Sequence, residues 1–177
     1  MLETATLGGG CFWCTEAIFK RLKGVESVVS GYAGGEKENP TYQEVSSGKT
    51  GYIESIQIKF DPSTISYEHI LDIFWATHDP TSKDKQGADV GSQYRSVIFY
   101  HNEEQRKKAQ ESMEKIQGAV TQITGFKNFY TAEEYHQNFY DKNKSTNMYC
   151  SLVIDPKIKK LLDKFGKDVK EEYKETS

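Results

Sequence analysis

Residues 52–60 read Tyr52-Ile53-Glu54-Ser55-Ile56-Gln57-Ile58-Lys59-Phe60, and their alternation decides the fold. Successive side chains of an extended chain point to opposite faces, so Tyr52, Glu54, Ile56, Ile58 and Phe60 share one face. The stretch predicts a strand with that face buried. One member of the buried face is a carboxylate. Burying it charged is costly, so Glu54 either stays protonated or takes a partner, unless the strand end near Gly51 opens to solvent.

Working outward toward the N-terminus, Ala5-Thr6-Leu7 predicts a short strand running into Gly8-Gly9-Gly10. A helix starts at about Phe12, with Phe12, Thr15, Ile18, Phe19 and Leu22 on one face and Gly24 as its stop. The β-branched run Val25 to Ala33 is a second strand, followed by a turn-rich loop around Asn39-Pro40. In the other direction, Ser66 caps a helix carrying Ile70, Leu71 and Phe74 that must end before Pro80. A polar loop over 81–91 leads to a strand from Arg95 to Tyr100. The order β-α-β-β-α-β predicts an α+β fold with a ferredoxin-like core, its helices on an antiparallel-rich sheet, and a C-terminal extension.

In that extension Asn102 with Gln105 resembles a capping box for a helix with Ala109, Met113 and Ile116 inward. Gly118 breaks it, a last strand falls within 119–123, and Thr131 with Glu134 reads as a second box before a short helix through His136. Asp155-Pro156 opens a final helix with Ile158, Leu161, Leu162, Phe165 and Val169 on one face. No repeat or linker divides the chain, so 1–177 reads as one catalytic domain.

Acids and bases are mixed along the chain and the net charge is -3, which gives no footprint for nucleic acid. No apolar run is long enough to span a bilayer and no secretory signal is visible, so a cytoplasmic protein without a membrane partner is expected. Eleven tyrosines suit a wet interface or a small polar pocket. Three cysteines are too few for a disulfide scaffold and point to reactive thiols.

Cys11 lies between the glycine turn and a helix start, where free amides and the helix dipole stabilise an anion. The expectation is a thiol easier to ionise than a free one, whose pKa is ~8.5, and open to close approach across Gly8, Gly9 and Gly10. Three readings follow. Cys11 and Cys14 are a C-x-x-C dithiol oxidoreductase; or they are half a zinc site completed by Cys150 and one of His69, His78, His101 or His136; or Cys11 is a lone nucleophile and Cys14 a buried neighbour. No second C-x-x-C or paired histidine spacing supports zinc. Glu54, kept protonated, is a proton donor for which the dithiol reading has less use. Tyr42 and Tyr94 lie in polar, turn-rich sequence, and two such hydroxyls suit a small polar oxygen. Asp89 and Gln86 share the Tyr94 loop, where ordinary turn chemistry also accounts for them. Phe12 and Trp13 are core packers or walls of an apolar notch.

These residues fall in blocks that resemble the A-type peptide methionine sulfoxide reductases. The matching blocks are Gly9-Gly10-Cys11-Phe12-Trp13, Gly31-Tyr32-Ala33-Gly34-Gly35 with Asn39-Pro40-Thr41-Tyr42, and Gly48-Lys49-Thr50-Gly51-Tyr52-Ile53-Glu54. Phe60-Asp61-Pro62, Thr77-His78-Asp79-Pro80-Thr81, the run from Gln86 to Ser96, and Tyr135-His136-Gln137 continue the series. The resemblance implies a ferredoxin-like α+β fold and reduction of the S epimer of methionine sulfoxide, free or in oxidised proteins. It implies Cys11 as nucleophile, Glu54 as proton donor, Tyr42 and Tyr94 on the sulfoxide oxygen, and Phe12 with Trp13 around the S-methyl group. Asp89 would bind the substrate's backbone amine or order water. No bound cofactor or metal is implied; an external thiol, thioredoxin or glutathione with glutaredoxin, would clear the sulfenic acid left on Cys11.

The chain departs from the family's pattern in two places. Tyr52 stands where histidine is usual, and Cys150 follows Asn147-Met148-Tyr149 without the glycine and proline that surround the family's mobile resolving cysteine. Cys150 is nonetheless the candidate resolving thiol; a Cys11–Cys14 bridge is the second option, expected to need local unwinding, and direct attack by an external thiol is the third.

Overall fold

The structure is a computed structural model and describes residues 1–174; the last three residues of the domain expected over 1–177 lie outside the described residues. β1 (Glu3–Gly9) runs into α1 (Phe12–Phe19), followed by β2 (Val25–Ala33), α2 (Tyr42–Ser46), β3 (Ile53–Phe60) and α3 (Tyr67–Thr77). A short hairpin, β4 (Lys85–Gln86) and β5 (Asp89–Val90), precedes β6 (Ser96–Tyr100). α4 (Glu103–Met113), β7 (Gln122–Gly125), β8 (Phe129–Thr131), α5 (Phe139–Asn143) and α6 (Asp155–Phe165) complete the chain.

Six strands form one sheet in the order β7-β6-β1-β3-β2-β8, antiparallel throughout except for the parallel pair β6 and β7. Sheet and helices make a mixed α+β fold. The central register sets Leu7 against Ile56 and Tyr32 against Glu54. The main core buries Phe12, Phe19, Ile56, Ile58, Phe74 and Leu161, each worth about 1.5–3 kcal/mol when removed from water. A smaller cluster, Ala33, Ile53, Val97 and Phe99 under Phe126 and Phe129, lies apart from it.

That second cluster changes the reading of β3. The expected face is buried throughout, yet Ile53 and Ser55 on the opposite face are buried too, because residues 126–129 cover the start of the strand. α1 stops at Phe19 rather than reaching Leu22, which instead bridges to Val169 beyond the end of α6. Ser66 caps α3 as expected, accepting from the His69 amide at 3.1 Å. Asn102 caps α4, whereas Gln105 turns to the His101 amide instead of closing the box. The box expected at Thr131 is absent: Thr131 is the last residue of β8, paired with Gly31, and the turn after it is a short 3-10 helix over Glu134–His136. A complete capping box forms instead at Thr41 and Glu44, starting α2 where the sequence reads as loop.

Candidate active site

The chain's entry into α1 builds the site. Gly10 takes φ +92°, a left-handed conformation that side chains disfavour, and turns β1 into the helix start. Cys11 is the N-cap with φ -57° and ψ 126°, so its side chain stands outside the first turn. Its thiol caps no amide. The Phe12 amide, free of any intrahelical acceptor, instead donates to Glu54 Oε1 at 3.2 Å, so α1 is capped from β3 by Glu54.

The open approach expected from three glycines is not found. A Cβ at Gly8 would meet Ile53 at 2.6 Å, one at Gly9 would meet Phe74 at 2.9 Å, and one at Gly10 would meet Gln86 at 2.6 Å. The glycines admit the protein's own side chains against the turn.

Glu54 is 2% exposed, and burial raises its carboxyl to about 8 against the opposing pull of the Phe12 amide. The acid is therefore neutral at pH 7, as the strand pattern implies. Cys11 reverses its expectation. Burial, then the hydrogen bond with the Cys14 thiol and the nearby Glu54 charge, push its thiol well up, and the Trp13 amide only partly offsets them. Cys14, taking the hydrogen bond from Cys11, is held at about 7. Of the two thiols Cys14 is therefore the one that ionises first.

Tyr42, at the start of α2, and Tyr94, ending a 3-10 turn over Ser92–Tyr94, are half-buried. Burial raises both phenols, and the ionisation of each also responds to Glu54 and Cys11, which are its neighbours. Phe12 is fully inside, its ring 5.7 Å from Tyr32 and 5.0 Å from His136. Trp13 is half-buried, stacked 3.6 Å from Phe139, with its indole N–H donating to His136 Nδ1 at 3.0 Å. Of the two rings, Trp13 is the available wall.

Asp89, at the start of β5, accepts from the Tyr149 hydroxyl at 2.6 Å, and the same hydroxyl lies 3.6 Å from Cys14 Sγ. Cys150 is fully buried at the start of a π-helical turn, Cys150–Ile154, that runs straight into α6. All three cysteines are free. Among the described residues, no three His, Cys, Asp or Glu side chains gather as the zinc reading requires.

Three residues have places in the site that the sequence reading does not assign: Tyr149, which stands there only beside Cys150; Glu133; and His136, which stands there as a candidate zinc ligand and a member of a matching block. Glu133 accepts from the Tyr32 hydroxyl at 2.8 Å and the Tyr42 amide at 3.0 Å, fixing Tyr42 in place. His136, within the Tyr135-His136-Gln137 block, is 1% exposed and packs on Tyr42 at 4.5 Å. Burial keeps it neutral, and accepting from Trp13 at Nδ1 puts its proton on Nε2, which has no partner among the described residues.

A thiol at a helix start, a buried neutral carboxylic acid that caps the same helix, an indole and two half-buried phenols fit a thiol-dependent oxidoreductase. The family model for peptide methionine sulfoxide reductase matches residues 3–170. Peptide methionine sulfoxide reductase MsrA of Sulfolobus acidocaldarius is 56% identical over 169 residues, 93% of this chain and 96% of its own. That of Saccharolobus solfataricus is 55% identical over 174 residues, 96% of this chain and 98% of its own. Among solved structures, Mxr1 from Saccharomyces cerevisiae in reduced form superposes with a TM-score of 0.80 at 36% identity, over 84% of this chain and 89% of its own. Methionine sulfoxide reductase A of Corynebacterium diphtheriae gives 0.74 at 31% identity, over 80% and 75%. The chain belongs to the peptide methionine sulfoxide reductase family and reduces methionine sulfoxide to methionine.

Proposed function

We propose that the chain is specific for the S epimer of methionine sulfoxide, free or within oxidised proteins, and that Cys11 is its nucleophile. The Cys11 sulfur attacks the sulfoxide sulfur while the Glu54 carboxyl protonates the oxygen and the Cys11 proton passes to the Glu54 carboxylate; the sulfoxide S–O bond then breaks as an S–O bond to Cys11 forms, and methionine leaves with a sulfenic acid on Cys11. Tyr42 and Tyr94 hold the oxygen, Trp13 and the edge of Phe12 receive the methyl group, and Asp89, with its Tyr149 partner, faces the substrate's backbone amine or an ordered water. The observation that carries this reading is the seat of Glu54: buried, neutral at pH 7 and bonded to the first amide of the helix that begins at Cys11.

The test is turnover of separately prepared S and R epimers of a methionine sulfoxide peptide. Consumption of the S epimer alone, lost in Cys11→Ser, is expected. Equal use of both epimers, or activity without Cys11, overturns the reading.

No cofactor takes part; the oxidised enzyme is returned by an external thiol, thioredoxin or glutathione with glutaredoxin. Mxr1 from Saccharomyces cerevisiae has been solved in complex with Trx2, at 28% identity to this chain and a TM-score of 0.54, which favours a thioredoxin. Three free thiols suit a reducing, cytoplasmic setting, and no described helix is long and apolar enough to cross a membrane. The ferredoxin-like reading of the core is supported by the antiparallel run β6-β1-β3-β2, with α1 between β1 and β2 and α3 between β3 and β6. A core cluster extending from Ala5 to Val169 supports one catalytic domain.

A further inference from the structure

Cys14 influences both of the other thiols, and it has no part in the first chemical step. Resolution through Cys150 requires the turn Cys150–Ile154 to leave a core in which Cys150, Ile154 and Leu161 are all fully buried. The Cys150 sulfur moreover feels the charge of Cys14 and not of Cys11, whereas Cys11 is shifted by Cys14 directly. Cys14 needs no such journey. Its amide donates to the Cys11 carbonyl at 3.1 Å, a four-residue turn that holds the two Cα atoms within about 7 Å, and disulfides span roughly 4.4–6.8 Å. Because Cys11 is the N-cap, with ψ 126°, its sulfur already stands beside the first turn, and the two thiols are close enough that each shifts the ionisation of the other. No unwinding of α1 is needed.

We propose that Cys14 is the resolving thiol, condensing with the Cys11 sulfenic acid to give a Cys11–Cys14 disulfide, with Tyr149 as the residue that positions its sulfur; this rests on the reading of Cys11 as nucleophile. In the step the Cys14 sulfur attacks the Cys11 sulfur, an S–S bond forms as the S–O bond breaks, and the hydroxyl leaves as water with the Cys14 proton. Cys14 is oxidised and the sulfenic sulfur reduced by the same amount. A dithiol reductant then attacks Cys11, the more exposed of the pair at 9% against 2%, and Cys14 departs as thiolate. The Tyr149 hydroxyl 3.6 Å away, itself held by Asp89, steadies that thiolate, and a thiol titrating at about 7 is a good leaving group.

The test uses the reduced full chain and a methionine sulfoxide peptide without reductant, followed by acid quench, alkylation and non-reducing peptide mapping. About one methionine per chain, loss of two thiols and a bridge between the Cys11 and Cys14 peptides, with Cys150 alkylated, are expected. With a thioredoxin supplied, Cys14→Ser should stop after a burst, its steady-state rate down at least ~10-fold, with a sulfenic acid trapped on Cys11 by a 1,3-diketone. The burst amplitude counts folded sites, and Cys14→Ala serves as the second variant. Tyr149→Phe should slow the thioredoxin-dependent phase more than the burst. A Cys11–Cys150 bridge as first product, or undiminished turnover in both Cys14 variants, overturns the proposal. A burst that survives Cys11→Ser refutes the underlying nucleophile instead, whichever bridge is found.

Discussion

The Phe12 amide and Glu54 Oε1 are 3.2 Å apart, and that single bond joins the start of α1 to β3 while seating the acid beside Cys11. An amide side chain keeps the acceptor and the shape but has no proton to give. Glu54→Gln is therefore expected to retain substrate affinity and slow the first turnover by ~10²–10⁴-fold. Single-turnover kinetics at pH 7 check this, and an unchanged rate constant removes Glu54 from the donor role.

The same burial fixes a pH dependence. Glu54 titrates at about 8 in the folded chain, so the donor form is present below that and the first turnover should fall as pH rises through it. Its folded value lies above the unfolded one, ~4.3, so the folded state binds the extra proton between the two and loses stability as pH rises across that window. Glu54→Gln lacks this slope. Urea unfolding should show the variant gaining on the parent by up to a few kcal/mol between pH 5 and pH 9, and parallel curves would contradict the burial argument.

How much of this was legible in the sequence depends on the range of the interaction involved. β3 was readable because alternation is local, β2 because a β-branched run is, and the Ser66 cap because its partner amide is three residues on. The cap of α1 was not, since its acceptor lies 42 positions away on another strand. The raised Cys11 thiol was misread for the same reason: a helix start is visible in sequence, whereas the desolvation and the Cys14 contact that outweigh it arise only on folding. Thr131 looks like a helix cap in isolation and becomes a strand residue because Gly31 accepts it as a ladder partner. Cys11, Glu54, Tyr42 and Tyr94 are neighbours in the fold; Glu133 and Tyr149, which hold Tyr42 and contact Cys14, carry no local pattern of their own, and His136 lies in a matching block that does not say what it packs on.

Gly31 allows β8 to close on β2. A Cβ there would lie 2.5 Å from the Tyr130 carbonyl oxygen and run into the Phe129 ring, and backbone cannot swing aside as a side-chain tip does. Gly31→Ala should cost roughly 1–3 kcal/mol through overpacking. Because β8 leads directly to Glu133, the anchor of Tyr42, KM for the sulfoxide should rise as well. Thermal unfolding and steady-state kinetics on the one variant check both effects, and a stable variant with normal KM would dissociate β8 docking from the site.

α5 is moored by charge to the turn that follows α1. Arg21, 3% exposed, donates from Nη1 to the Ala17 carbonyl at 2.7 Å and from Nη2 to Asp141 at 2.5 Å, between the rings of Tyr140 and Tyr173. Lys20 reaches the other Asp141 oxygen at 2.7 Å. Burial alone would raise the Asp141 carboxyl, but the hydrogen bonds and charges of Lys20 and Arg21 outweigh it and hold it below its ordinary value. Asp141→Ala strands the buried guanidinium; breaking a fully buried pair costs 3–5 kcal/mol, and the 26% exposure of Asp141 reduces the expectation to about 2–3 kcal/mol. A depressed carboxyl stabilises the fold above its unfolded value, ~3.9, and this contribution is lost as pH falls through the lower folded one. The gap between parent and variant in urea unfolding should thus be full at pH 7 and shrink below about pH 4. α5 also carries Phe139, on which Trp13 stacks, so Asp141→Ala should loosen that indole and alter its fluorescence under native conditions. A gap that stays constant down to pH 3 would locate the loss in packing rather than in the ion pair.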